Sequence, residues 1–326
     1  VRARITTTII SIAAVIVFLV AAVHSSQTGG EGGPRSKITL VAPADPGGGW
    51  DAFARESQQA LRGNGITGNA QVVNIPGAAG TIGLSQVAGM QGREDLLLVT
   101  GGVMVGGIIV GDSAVTLDDV TPIARVADDY NVLVVPGDSE FETLDDFLEA
   151  FTEDPGGTAI AGGSLGGIDH VLSGLMAQAS GIEPSDANYL AYAGGGEVVT
   201  SLLSHTTTAG LSGFNEFRDQ IESGNLRALA ISSEERIDGL DIPTFREAGL
   251  DIAMANWRGY VAPPGISDEV HDELVAMLDE MRATPEWQDT LARNGWTDSF
   301  MSGTELDDFL RDEIATTTEI VKELGL

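Results

Sequence analysis

Short apolar runs bounded by Gly, Pro or Asp recur from residue 38 onward, at 38–42, 71–75, 96–100, 132–135, 158–161, 189–192, 206–209 and 226–231. Each has the length and composition of a strand. Between them the apolar period lengthens. Trp50, Phe53, Ala54, Ser57 and Leu61 share one helical face, and Leu144, Phe147, Leu148 and Phe151 do the same behind a Thr143 N-cap. Strand–helix alternation predicts an α/β fold with parallel sheets covered by helices. The end of the chain differs. Ser267 caps a helix to about residue 281, with Val270, Leu274, Met277, Leu278 and Met281 on one side. Pro285 and Thr304 start two more, the last carrying Leu306, Phe309, Leu310, Ile314 and Ile320. A helical tail returning over the first domain is the expectation.

The start of the chain has its own pattern. Arg2 and Arg4 precede an uncharged apolar run over 5–23, and a polar, Gly-rich stretch follows to residue 36. This is the layout of a secretory signal, and the run is also long enough to span a bilayer as an uncleaved anchor. Either reading places residues 37–326 outside the cytoplasmic membrane, secreted, periplasmic or tethered to its outer face.

Composition narrows the function. The 326 residues allow about two domains. The net charge is −31 and Lys37 and Lys322 are the only lysines, which argues against a nucleic-acid partner. With no Cys, disulfides, thiolate zinc sites and Cys nucleophiles are excluded. The four His form no H-E-x-x-H pair. No metal or cofactor is expected.

Two Gly-rich turns follow strands and open helices: Pro43-Ala44-Asp45-Pro46-Gly47-Gly48-Gly49 and Pro76-Gly77-Ala78-Ala79-Gly80-Thr81-Ile82-Gly83. Backbone N–H groups at a helix start can hold an anion without a basic side chain. The same turns could serve topology alone, and neither is a nucleotide signature. A third turn, Gly162-Gly163-Ser164-Leu165-Gly166, matches the G-x-S-x-G nucleophile elbow. A hydrolase using Ser164 needs a later His, and His205 and His271 sit poorly for that role. The other reading is a further Gly/Ser anion-binding turn. His170 lies six residues after Ser164, as a structural helix residue or one pointing back to the turn.

Taken in order, these motifs resemble the solute receptors of tripartite tricarboxylate transporters, the Bug-type receptors. The resemblance rests on Pro43, Gly47, Gly48 and Asp51, then on Asn74, Pro76, Gly77, Ala78, Gly80 and Gly83. It continues through Gly163 to His170, Tyr192-x-Gly194-Gly195-Gly196-Glu197, Gly224-Asn225-Leu226-Arg227, Ile242-Pro243-Thr244-Phe245 and Trp257-Arg258-Gly259-Tyr260. It implies a two-lobed periplasmic-binding-protein type II fold with two chain crossings, near 135–137 and 256–260. Residues 1–36 would be leader and linker, 37–135 with 258–326 the first lobe, and 136–257 the second. It implies a monomeric receptor without catalysis, passing a small carboxylate (a di- or tricarboxylate, acidic amino acid or aromatic acid) to membrane permease subunits. The ligand would lie against Gly47, Gly48, Gly49, Asp51, Ala79, Gly80 and Thr81 of one lobe, and Ser164, His170, Tyr192, Gly195 and Ser212 of the other. The sequence departs from the family pattern at Gly210-Leu211-Ser212-Gly213-Phe214-Asn215, and Asp169 would repel an anion unless it points away. A membrane-tethered sensor input is the remaining alternative.

Overall fold

A computed structural model describes residues 33–237 and 239–326. Of the leader and linker expected at 1–36, residues 1–32 lie outside the described residues. Residues 34–36 belong to the folded body rather than to a linker. Thr67 donates to the Pro34 carbonyl, Gly68 N–H to that of Arg35, and Arg35 pairs with Glu280.

Among the described residues there are two sheets. The strands are β1 (Ile38–Ala42), β2 (Ala70–Asn74), β3 (Leu96–Gly101), β4 (Thr121–Asp129), β5 (Asn131–Pro136), β6 (Ile160–Gly162), β7 (Tyr189–Ala191), β8 (Ala209–Gly213), β9 (Leu226–Ile231), β10 (Asn256–Ala262) and β11 (Thr297–Met301). The first sheet has the order β11-β4-β10-β3-β1-β2 and the second β7-β6-β8-β5-β9. Strand β1 (ITLVA) is buried throughout, as a parallel strand covered on both faces must be.

The expectation was parallel sheets covered by helices, and both sheets also contain antiparallel pairs. β1 pairs parallel with β2 and β3, and β6 with β7 and β8. β10 runs antiparallel between β3 and β4, and β5 antiparallel between β8 and β9. The antiparallel strands adjoin the two crossings, where the chain enters a sheet from the opposite side. β4 ends at Asp129 and β5 begins at Asn131, so the first passage is at Tyr130, not at 135–137. The second is the segment between β9 and β10. The two passages touch: Asn131 N–H donates to Ser232 Oγ, and Ser232 N–H to the Asn131 carbonyl.

The helices are α1 (Gly49–Gly63), α2 (Thr81–Ala88), α3 (Gly102–Val110), α4 (Leu144–Glu153), α5 (Ile168–Ala179), α6 (Gly195–Leu203), α7 (Phe214–Glu222), α8 (Asp268–Arg282), α9 (Pro285–Asn294) and α10 (Gly303–Glu323). Thr143 caps α4 in a reciprocal box with Asp146, and Ser267 caps α8. The core of the first lobe centres on Phe53, which stacks on Tyr260 and meets Trp287 edge-on.

The tail departs from expectation in two ways. β11 intervenes between α9 and α10 as an edge strand of the first sheet. And α10 serves both lobes: Leu306 and Leu310 join the first core, whereas Ile320, Val321 and Leu324 pack on Val171 and Leu175 of α5. The expected strand at 206–209 is displaced to β8. Thr206 and Thr207 N–H groups instead close the end of α6 on the Ser201 carbonyl.

Candidate functional site

The first Gly turn joins β1 to α1. Gly47 takes φ +89° and donates its N–H to Asp51 Oδ2 at 2.8 Å. Arg55 Nε donates to the same oxygen, and Asn74 Nδ2 to Asp51 Oδ1, each at 2.8 Å. Burial pushes the Asp51 carboxyl up, but the bonds from Arg55, Gly47 and Asn74 outweigh it and hold the group below the usual carboxylate range. Both Asp51 oxygens are therefore occupied by the protein, and its visible part is to shape the turn. Asn74 also donates to the Ala44 carbonyl, tying the end of β2 to this turn.

The second turn joins β2 to α2. Gly77, Ala78, Ala79 and Gly80 all have positive φ, +123°, +49°, +50° and +93°. Two alanines in the left-handed region are a strained arrangement that persists only where the surroundings dictate it. Gly80 is where the two turns meet. A Cβ there would lie 2.7 Å from the Trp50 ring, so a side chain would drive the turns apart. A third turn of the same grammar, Gly101-Gly102 between β3 and α3, was not singled out from the sequence. Its apolar strand followed by Gly-Gly was the available signal.

In the second lobe the turn after β6 is held by buried groups. Gly166 N–H donates to His170 Nδ1 at 3.0 Å, and the His170 ring stacks on Tyr189 at 4.3 Å. Tyr189 Oη donates to the Gly163 carbonyl. Burial pushes the His170 imidazole down to about 4. His170 is thus neutral and internally bonded, supporting the turn that carries exposed Ser164. Among the described residues no hydrogen bond joins Ser164 to a histidine. His205 is exposed and faces Asp138, and His271 lies against Asp272 and the Pro122 carbonyl. Tyr192 is half-buried, with its N–H on the Gly162 carbonyl. Gly195 opens α6 against Glu216, whose Oε2 accepts from Ser212 Oγ at 2.8 Å.

The lobes meet along α3. A Cβ on Gly106 would lie 1.9 Å from the Gly166 carbonyl oxygen. Beside this contact, at the first passage, is a buried polar cluster. Arg258 pairs with Asp129 and donates Nη1 to the Gly49 carbonyl at 2.5 Å. Asn131 Nδ2 donates to Asp169 Oδ1, and Gly163 N–H to Asp169 Oδ2 at 2.7 Å. Burial pushes the Asp169 carboxyl up to about 7, with nearby Glu216 and Asp129 adding to the shift. Asp169 therefore points into the protein. Asp129 and Glu216 were missed from the sequence, where nothing marked them among 48 acidic residues.

A cavity of about 460 Å³ lies elsewhere, beneath α10, between Arg125, Ile168, Trp257, Phe309 and Glu313. None of the twelve expected ligand residues lines it.

The model of the tripartite tricarboxylate transporter family receptor matches residues 54–326. The chain belongs to that family. Protein BugT of Bordetella pertussis is 28% identical over 320 residues, covering 96% of this chain and 97% of BugT. A TctC solute-binding protein from Polaromonas, solved without ligand, superposes with a TM-score of 0.71 at 26% identity, covering 89% of this chain and 99% of that one. Rpa4515 of R. palustris, solved with adipate, gives 0.80 at 21% identity over 90% and 98%. The two-lobed fold of this receptor family is the fold described above.

Proposed function

We propose that the protein captures a small carboxylate between its lobes outside the cytoplasmic membrane and passes it to the permease subunits of a tripartite tricarboxylate-type transporter. The lobe with the first sheet would run to about Asp129 and resume near Asn256, with the second lobe between. The observation that carries the reading is the joining of two Gly turns at the starts of α1 and α2 through Trp50 and Gly80. Helix-start N–H groups favour an anion there without a basic side chain. The nearby cations are already engaged, Arg55 by Asp51 and Arg258 by Asp129. The adipate in Rpa4515 supports a carboxylate of this size.

The test is a thermal-shift screen over organic acids, followed by calorimetry on Gly48→Val. A ligand that binds only the folded state raises its apparent stability. Gly48 is the suitable position, because a Cβ there meets only the Asp45 carbonyl at 3.3 Å and the Ala44 side chain at 3.7 Å. Gly80→Val would collide with Trp50 and disturb the fold. Loss of binding in folded Gly48→Val is expected, and wild-type affinity would remove the turns from the site.

A further inference from the structure

We infer that the cavity beneath α10 is a second binding site, for a small apolar amine whose ammonium Glu313 receives. The cavity stands apart from the proposed carboxylate site, since none of the residues expected there lines it. Its walls come from three directions. Arg125 of β4 and Trp257 of β10 supply one, Ile168 and Val171 of α5 another, and Phe309 and Glu313 of α10 close it. The volume of about 460 Å³ lies within the range that holds small ligands.

Much of the lining is apolar. Ile168, Val171 and Trp257 are buried, and the Trp257 and Phe309 rings meet at 86° with centroids 5.3 Å apart. Such a corner packs an aliphatic or aromatic body. The charged groups in the wall are engaged by the protein, with one exception. Arg125 pairs with Asp128 and lies over the Phe309 ring, 4.4 Å from its centroid. Arg246 pairs with Glu234 and Asp251. The exception is Glu313, which is half-buried and has no ion-pair partner among the described residues. Its Oε1 accepts from Trp257 Nε1 at 3.0 Å, and among the described residues its Oε2 has no hydrogen-bond partner.

That arrangement sets the chemistry of the occupant. Burial pushes the Glu313 carboxyl up, against the Trp257 hydrogen bond and the charge of Arg125. A carboxylate drawn out of water is costly until it is paired. An ammonium brings the opposite charge and three donors, and a charge-assisted bond is among the strong ones. A wholly apolar molecule would cover the carboxyl without pairing it, and an anion would meet like charge. The indole holds one carboxylate oxygen in place, so the other is presented to the cavity without the side chain having to reorder. An apolar body against Trp257 and Ile168, with an amine at Glu313, uses both features of the wall.

The experiment is titration calorimetry on the full chain at neutral pH, with probes paired so that only the polar group differs: hexylamine with hexanol, cyclohexylamine with cyclohexanol, and benzylamine with benzyl alcohol. It is repeated on two variants. Glu313→Gln removes the charge and keeps an acceptor for Trp257 Nε1. Thr316→Trp, at an exposed position of α10 that lines the cavity, obstructs it and leaves Glu313 in place. The amine of the best pair should bind roughly ten- to a hundredfold more tightly than its alcohol. Glu313→Gln should erase most of that ratio, and Thr316→Trp should weaken amine and alcohol alike, both with a cooperative thermal transition close to that of wild type. Should one variant fold poorly, the other still decides. An alcohol that binds as tightly as its amine would overturn the inference, as would binding of neither. An amine preference that survives Glu313→Gln, or binding that ignores Thr316→Trp, would place the amine on the acidic surface and not in the cavity. The probes carry no carboxylate, so failure here leaves the carboxylate reading as it stands.

Discussion

Asp169 and His170 are neighbours in α5 whose buried environments shift them in opposite directions, so their contributions to stability oppose each other with pH. The Asp169 carboxyl is raised to about 7. The folded protein keeps a proton that the unfolded chain, titrating near ~4, has already released. This contribution is fully present below ~4 and is lost as pH rises through about 7. The His170 imidazole is lowered to about 4. Here the unfolded chain takes up a proton near ~6.5 that the folded protein refuses. This contribution is fully present above ~6.5 and is lost as pH falls through about 4. At ~1.4 kcal/mol per pH unit, the ceilings are about 4 kcal/mol for Asp169 and about 3 kcal/mol for His170. Relaxation and water entry reduce both, to about 2 kcal/mol each.

The perturbations are Asp169→Asn, which keeps an acceptor for Gly163 N–H, and His170→Gln. The assay is urea unfolding at half-unit steps from pH 4.5 to 7.5, read as the difference from wild type so that all shared carboxylates cancel. The stability advantage of wild type over Asp169→Asn should shrink by about 2 kcal/mol as pH rises across that range. Its advantage over His170→Gln should grow by a similar amount. Differences that stay flat with pH would show that both groups titrate as in solvent, and the account of a dry turn beneath Ser164 would be wrong.

Gly106→Ala places a Cβ against the Gly166 carbonyl. It should hold the lobes apart, giving a larger radius of gyration in solution scattering with saturating ligand and weaker binding, while unfolding stays cooperative. Asp51→Ala leaves the Gly47 N–H and the Asn74 amide without their acceptor. It should cost about 1–3 kcal/mol in denaturant unfolding and weaken ligand binding, whereas an unchanged midpoint would show that the turn holds itself.

Much of both lobes was legible where the strands are uniformly apolar and the turns are punctuated by Gly. β1, β3 and β9 and the faces of α1 and α4 lie where the pattern puts them. β4 was not legible. Its sequence TPIARVADD carries Pro122, Arg125, Asp128 and Asp129, charges that look like a loop until their partners are known. Arg125 bonds Asp128, and Asp129 bonds Arg258 more than a hundred residues away. The same cluster displaced the first crossing from its expected place, since the passage follows the buried charges and not the apolar run of β5. On the site, the turns were readable as turns. The inward direction of Asp169 and the internal bond of His170 depend on side-chain packing between α5 and β7, which no spacing rule contains.

The placement of β10 between β3 and β4 bears on how the molecule comes into being. The second sheet is made from one continuous stretch, Asn131 to Ile231, and can close as soon as that stretch exists. The first cannot. Its two neighbouring strands wait for a central strand that begins at Asn256, so β3 and β4 have no partner between them until the whole second sheet has been made. Long-range pairing of this kind is slow, because the intervening chain must be gathered before any contact rewards it. The half bearing the two Gly turns that open α1 and α2 is consequently the half completed last. In a chain still emerging from the ribosome the first sheet stays open, and it closes only once the last fifth or so of the chain has been delivered.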